Sequence, residues 1–167
     1  MIRVLGIDPG SRHTGYGVVD GHGNRLVHVA SGTIAVPGSL PFPERLGLIF
    51  GKIDALIRET APDECAVEDV FMSRNAKSAL ILGQARGAAV VAGVHAGLPV
   101  FEYSALQIKQ AVVGYGKADK DQVMQMVRTL LGVTGRLSSH AADALAVAVC
   151  HIHSRSSRLC RQVWEQR

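Results

Sequence analysis

Val4-Leu5-Gly6-Ile7-Asp8-Pro9-Gly10 is an apolar run closed by an acid and then, at once, by turn residues. Over residues 2–8 it reads as a buried β-strand: short, aliphatic and ended by Pro-Gly. Residues 14–20, Thr-Gly-Tyr-Gly-Val-Val-Asp, read as a second strand. Gly21-His22-Gly23-Asn24 is turn chemistry, and a third strand over 25–34 resumes with Leu26, Val27 and Val29. Connections this short make the three strands an antiparallel meander.

Pro41 and Pro43 then introduce a helix over about 44–60, where Leu46, Ile49, Phe50, Ile53, Leu56 and Ile57 recur at helical spacing. Pro62 separates it from a strand at 64–69. A long helix at about 75–96 leads through Gly97-Leu98-Pro99 to a last strand at 99–103, and helices follow at about 104–113, 119–131 and 139–153. Both late strands arrive through helical crossovers, so they are expected to lie parallel to the first. The expectation is an α/β domain over 1–153, a mixed five-stranded sheet flanked by helices. Residues 154–167 are left as a basic C-terminal tail with Arg155, Arg158, Arg161 and Arg167, expected to be flexible.

With 167 residues and 47% hydrophobic residues, the chain can bury one globular core. Its apolar start meets charge at Arg3 and Asp8, unlike a secretory signal. The longest uncharged apolar stretch, Gly87 to Val100, is interrupted by His95 and falls short of the ~20 residues of a spanning helix. The net charge of +4 and pI near 9.2 permit a nucleic-acid partner and equally suit an ordinary, slightly basic enzyme. Cys65, Cys150 and Cys160 are odd in number and lack C-x-x-C spacing, so they read as reduced thiols of a cytosolic protein.

Three acids stand where acids are expensive. Asp8 closes the first strand and Glu68 ends Ala66-Val67-Glu68. Asp143 sits within Ala141-Ala142-Asp143-Ala144-Leu145-Ala146-Val147. An ionised carboxylate buried without a partner is costly. Three of them suggest that the carboxylates meet and share a cation, the chemistry of a metal-dependent phosphodiester hydrolase. Ligands of open α/β sheets bind beyond the carboxyl ends of strands, where Asp8 and Glu68 would emerge. His140 lies one helical turn before Asp143 on the same face. Oxygen donors suit Mg²⁺ or Mn²⁺, and two such ions about 4 Å apart could bind one phosphate and activate water. Each residue also has an ordinary reading: Asp8 as a turn cap, Glu68 as a solvated strand end, and His140 as a helix-start residue beside Ser138 and Ser139. His151 and His153 do not share a helix face, and no Gly-x-x-x-x-Gly-Lys-Ser/Thr phosphate loop is present.

Gly6-Ile7-Asp8-Pro9-Gly10-Ser11 with Thr14-Gly15-Tyr16-Gly17 resembles the first hairpin of the RuvC family of crossover junction endodeoxyribonucleases. Glu68-Asp69-Val70-Phe71-Met72, with Asn75 and Gly83-Gln84-Ala85-Arg86-Gly87, is similar to that family's central motif. Gln107-x-Lys109-Gln110-Ala111-Val112 and Ala141-Ala142-Asp143-Ala144-Leu145-Ala146 resemble its two later motifs, and the four run in order from residue 2 to about 153. The resemblance implies an RNase H-like (retroviral-integrase-like) fold, a homodimer and resolution of four-way DNA junctions. It also implies catalytic carboxylates at Asp8, Glu68 and Asp143, and an association with the branch-migration proteins RuvA and RuvB. His140 falls where many members carry a fourth acid, and this departure bears on metal preference.

Phe71 begins a polar loop, Ser73-Arg74-Asn75, and could stack on an unpaired base or anchor the loop in the core; the resemblance favours DNA. Lys109, Lys117 and Lys120 can reach phosphates or form a solvated face. Lys109 and Lys120 match family positions implicated in DNA contact or catalysis. Ala76, Leu80, Gly83, Gly87, Ala88 and Val91 form one stripe of the 75–96 helix, suited either to packing on its own sheet or to a twofold helix pair. The competing functions are an RNase H-like nuclease acting on RNA, an actin-like ATPase or sugar kinase, and a non-catalytic junction-binding module. An ATPase of that kind normally needs two such domains, and this chain has room for one.

Overall fold

A computed structural model describes the backbone of residues 1–69 and 75–165, and the side chains of residues 1–69 and 75–155. Strands β1 (Ile2–Asp8), β2 (His13–His22) and β3 (Arg25–Ala35) form the antiparallel meander. Helix α1 (Phe42–Thr60) crosses to β4 (Glu64–Glu68), and α2 (Ala76–His95) crosses to β5 (Val100–Tyr103). Both late strands run parallel to β1, as expected, in the sheet order β3-β2-β1-β4-β5. Helices α3 (Ala105–Val113), α4 (Lys120–Leu131) and α5 (Ser139–Glu165) complete the chain.

Alternation along the strands assigns the helices to two layers. Val4 and Ala66 face one core with Ile108 and Val112 of α3, Val123 and Val127 of α4, and Leu145 and Val149 of α5. Leu5, Cys65 and Val67 face the other, against Ile49, Ile53 and Ile57 of α1 and Ala85, Ala89 and Ala92 of α2. Strand neighbours point to opposite faces, so the nearly pure aliphatic run of β1 supplies both cores at once.

Helix α5 lies unusually close to the sheet because the strands beneath it carry glycines. A Cβ on Gly6 would stand 2.1 Å from the Ala144 carbonyl oxygen, and one on Gly15 would stand 2.0 Å from that of His140. Farther along, a Cβ on Gly17 would meet the Leu145 side chain at 2.7 Å. Alanines on the helix and glycines on the strands let the two backbones touch.

The helix boundaries follow local chemistry. Ser104 with Gln107, and Asp119 with Gln122, form reciprocal capping boxes at the starts of α3 and α4. The Asn75 side chain accepts from the N–H groups of Lys77 and Ser78 and caps α2. One boundary differs from expectation: α5 continues to Glu165 rather than stopping near 153. No proline or glycine interrupts residues 153–165, and the Arg155 guanidinium donates to Glu64 at 3.3 Å, tying the continuing helix to the sheet. Glu64 also pairs with the buried His151, whose Nδ1 lies 2.8 Å from the Tyr103 hydroxyl. His151 thus has a packing role within the fold. Cys65 and Cys150 are buried free thiols, as expected, and burial pushes them up to about 12 and about 11.

The close seat of α5 predicts a contrast between two glycines. Gly6→Ala should cost about 1–3 kcal/mol or more, because the new methyl meets backbone that cannot rotate away. Gly51→Ala, exposed on α1 with nothing near its new methyl, should gain roughly 0.5–1 kcal/mol. Urea denaturation midpoints check both, and a Gly6→Ala protein as stable as wild type would contradict the close seat.

Candidate active site

The parallel pairing of β1 with β4 aligns Ile7 with Val67, so Asp8 and Glu68, each next in its chain, end neighbouring strands side by side. Antiparallel pairing puts Gly15 beside Asp8, and the first turn of α5 rests on Gly15. That contact brings His140 over the end of β1: its Nδ1 lies 3.1 Å from Asp8 Oδ2. One turn later Asp143 faces the same cleft and accepts a hydrogen bond from Lys120 Nζ at 3.2 Å. Asp8, Glu68 and Asp143 therefore line one cleft of about 400 Å³, with Lys109 and Lys120 on its wall.

The electrostatics are those of like charges held together. Burial pushes the Glu68 carboxyl up from an ordinary 4.5 to about 7, with Asp8 and Asp143 adding to the shift. Burial likewise raises Asp8, opposed by its hydrogen bond to His140 and added to by Asp143. Lys120 is raised because Asp143 stabilises its charge, so it stays an ammonium ion.

This donor chemistry fits a hard divalent cation. Three carboxylates crowd one cleft, and Asp8 and Glu68 resist ionising there, which is the condition that a bound cation relieves. Among the described residues, no three acid, histidine or cysteine side chains are grouped tightly enough to hold an ion as they stand. Asp8 is instead paired with His140, and Asp143 with Lys120.

The other expected residues separate into distinct places. Lys109 lines the cleft, and its charge slightly opposes the rise of Glu68. Lys117 is exposed in the loop between α3 and α4. Asn75 caps α2. Phe71 and Arg74 lie outside the described residues. Two further residues were not identified as site residues from the sequence. Arg86, quoted there only within a motif, holds Asp69 at 3.4 Å and Glu102 at 2.6 Å, bracing the strand end that carries Glu68. His13 stacks on His140. In the structure β2 begins at His13, one residue before the strand expected over 14–20, which puts position 13 on the same strand face as Gly15.

A mixed sheet in this order, with carboxylates at the ends of its central strands and on the helix crossing them, defines the RNase H-like nuclease class. The comparisons are more particular. The family model for crossover junction endodeoxyribonuclease RuvC matches residues 4–151. The chain is 58% identical over 158 residues to RuvC of Trichlorobacter lovleyi, covering 95% of this chain and 89% of that one. It is 61% identical over 153 residues to RuvC of Pelobacter propionicus, covering 92% and 87%. The structure is similar to Thermus thermophilus RuvC solved in complex with Holliday junction substrate, with TM-score 0.87 and 36% identity over 94% of this chain and 97% of that one. The yeast mitochondrial Holliday junction resolvase shares the fold at TM-score 0.70 and 14% identity, covering 97% of this chain and 84% of that one. The chain belongs to the RuvC family of crossover junction endodeoxyribonucleases. Among the described residues no helix is long and apolar enough to cross a membrane.

The raised Glu68 carboxyl makes stability depend on pH. Its folded-state pKa lies above the unfolded value, so its favourable contribution is complete below about 4.5 and is lost as pH rises through about 7. Glu68→Gln removes that loss. In buffer free of divalent ions, its melting temperature should match wild type near the acid end and exceed it at pH 8. A difference that does not grow with pH would show that Glu68 is solvated.

Proposed function

We infer that this chain is a divalent-metal-dependent endonuclease that resolves four-way DNA junctions as a homodimer, in recombination and repair. The supporting observation is the convergence of Asp8, Glu68 and Asp143 in one cleft beside Lys120, in a chain of the RuvC family.

Asp8, Glu68 and Asp143 would hold Mg²⁺ or Mn²⁺, two ions in this reading, through oxygen, and His140 through a ring nitrogen. Bound there, a divalent ion supplies Lewis acidity toward the scissile phosphate. The chain supplies the remainder. The strand-end carboxylates fix where the phosphate sits relative to water. Lys120, kept protonated by Asp143, offers positive charge to the negative charge that develops as the phosphodiester is hydrolysed. Lys109 and Lys117 neutralise flanking phosphates as flexible point charges. Phe71 stacks on an unpaired base at the crossover, while Arg74 and Asn75 contact the backbone beside it.

Two cuts of like polarity require two sites related by a twofold axis, which a homodimer supplies. The dimer reading draws support from the outer face of α2. Leu80, Val91 and Val94 are exposed there, and Gly83 and Gly87 leave room for a close neighbour. Association with RuvA and RuvB, and work in the cytoplasm, belong to the same reading.

Asp8→Asn, Glu68→Gln and Asp143→Asn should each lower cleavage of a labelled synthetic four-way junction by at least about a hundredfold, the upper range for residues that merely support a ligand. Junction binding should persist in all three, and near wild-type cleavage by any of them would remove that residue from the site. Lys120→Ala should reduce cleavage with little change in the salt dependence of binding. A slope lower by about one would instead assign Lys120 to a phosphate contact. His140→Asp should remain active and shift its preference from Mn²⁺ toward Mg²⁺, because it exchanges a nitrogen donor for a charged oxygen. Cleavage rates across a titration of each metal test this, and an unchanged preference would exclude His140 as a ligand.

A further inference from the structure

His13 opens β2 at the rim of the cleft, and its ring lies flat against that of His140. The centroids are 5.6 Å apart and the planes are inclined by 11°. The backbone beneath is equally close, since Gly15 admits the His140 carbonyl where a side chain would otherwise stand. Positions 13 and 15 share a strand face, so one edge of β2 seats His140 twice, backbone on Gly15 and ring on His13.

The platform is itself fixed. The Thr14 hydroxyl donates to the Gly10 carbonyl at 2.8 Å and accepts from the Gly10 N–H at 3.3 Å, closing the turn after Asp8. The Val36 N–H donates to the Arg12 carbonyl at 2.8 Å, holding the start of β2 against the end of β3. The His140 side chain, by contrast, is 42% exposed, and among the described residues its hydrogen bond to the cleft is the one between Nδ1 and Asp8. A half-exposed ring turns about two side-chain torsions unless a surface abuts its face.

We propose that His13 is a positioning residue, a flat platform that holds the His140 imidazole in the plane aiming its nitrogen at the carboxylate cluster. This rests on the reading of His140 as part of the metal-binding set. Groups that orient a ligand, without touching the ion, typically contribute 10–100-fold to metal affinity. Aromatic stacking supplies that orientation here.

The test compares His13→Ala, His13→Phe, His140→Ala and the double alanine variant in the full chain. Mn²⁺ affinity by calorimetry is the primary readout, with Mn²⁺-dependent cleavage, metal-free junction affinity and the urea midpoint beside it. His13→Ala should weaken Mn²⁺ binding about tenfold and raise the Mn²⁺ needed for cleavage in parallel. Junction affinity and the urea midpoint should not change. His13→Phe, which keeps a flat face and loses the ring nitrogens, should restore Mn²⁺ affinity. In the His140→Ala background the His13→Ala change should add nothing, because both act through one ring. The proposal is overturned if the two changes are additive, if His13→Phe is as impaired as His13→Ala, or if His13→Ala weakens junction binding instead. Should His140→Ala itself leave Mn²⁺ affinity intact, the assignment of His140 fails first. Should His140→Ala weaken it while His13→Ala does not, only the platform fails.

Discussion

The contact between α5 and the glycine faces of β1 and β2 is the constraint on which the rest of the molecule depends. Gly6 and Gly15 admit helix backbone where a methyl would overlap it, and alanines on the helix return the favour. Interiors packed to this density do not deform gradually. The same seat therefore buries the apolar face of α5 and fixes how far His140 and Asp143 reach over the strand ends. Stability and site geometry come from one contact, so a change on the helix's buried face should not leave the cleft untouched.

What that seat assembles is electrostatically unfavourable. Glu68 and Asp8 are each shifted up by burial, with neighbouring carboxylates adding to it. The fold tolerates this because compensation lies close at hand. Lys120 at the start of α4 meets Asp143, and His140 meets Asp8. Arg86 from α2 draws Asp69 and Glu102 together, so the ends of β4 and β5 stay in register although an acid stands at each. Each compensating group comes from a different helix. The cleft is thus a meeting point of both helical layers and cannot form before they pack.

The sequence made the strands legible because their apolar runs end in proline, glycine or acid, and made the crossovers legible because α1 repeats its aliphatics at helical spacing. It also exposed Asp8, Glu68 and Asp143, since a carboxylate ending or interrupting an aliphatic run has few harmless explanations. Other features depended on distance in the fold. The sequence reading ends α5 near 153 and leaves a basic tail; the structure continues the helix, and Arg155 reaches Glu64 on β4. Lys120 was legible as a cation, but its partner Asp143 was not, because α4 and α5 meet only in three dimensions. Gln107 is quoted only within a family motif, and its capping box with Ser104 emerges in the structure. His13 gave no signal alone, because stacking is a property of two rings.

The histidine at 140 alters more than the charge of the cleft. The resemblance associates that position with a fourth acid in many members of the family. Another carboxylate there would add to the repulsion that already raises Glu68 and Asp8. An imidazole instead opposes the burial-driven rise of Asp8 through a hydrogen bond. A carboxylate is small and can be oriented by hydrogen bonds to its two oxygens. An imidazole needs its plane set, because a nitrogen lone pair in the ring plane points in a single direction. The ring at 13 answers that requirement and would have no equivalent task beside a carboxylate. Positions 13 and 140 are therefore best understood as one unit joined across the contact between β2 and α5, in which the identity of the second residue gives the first its purpose.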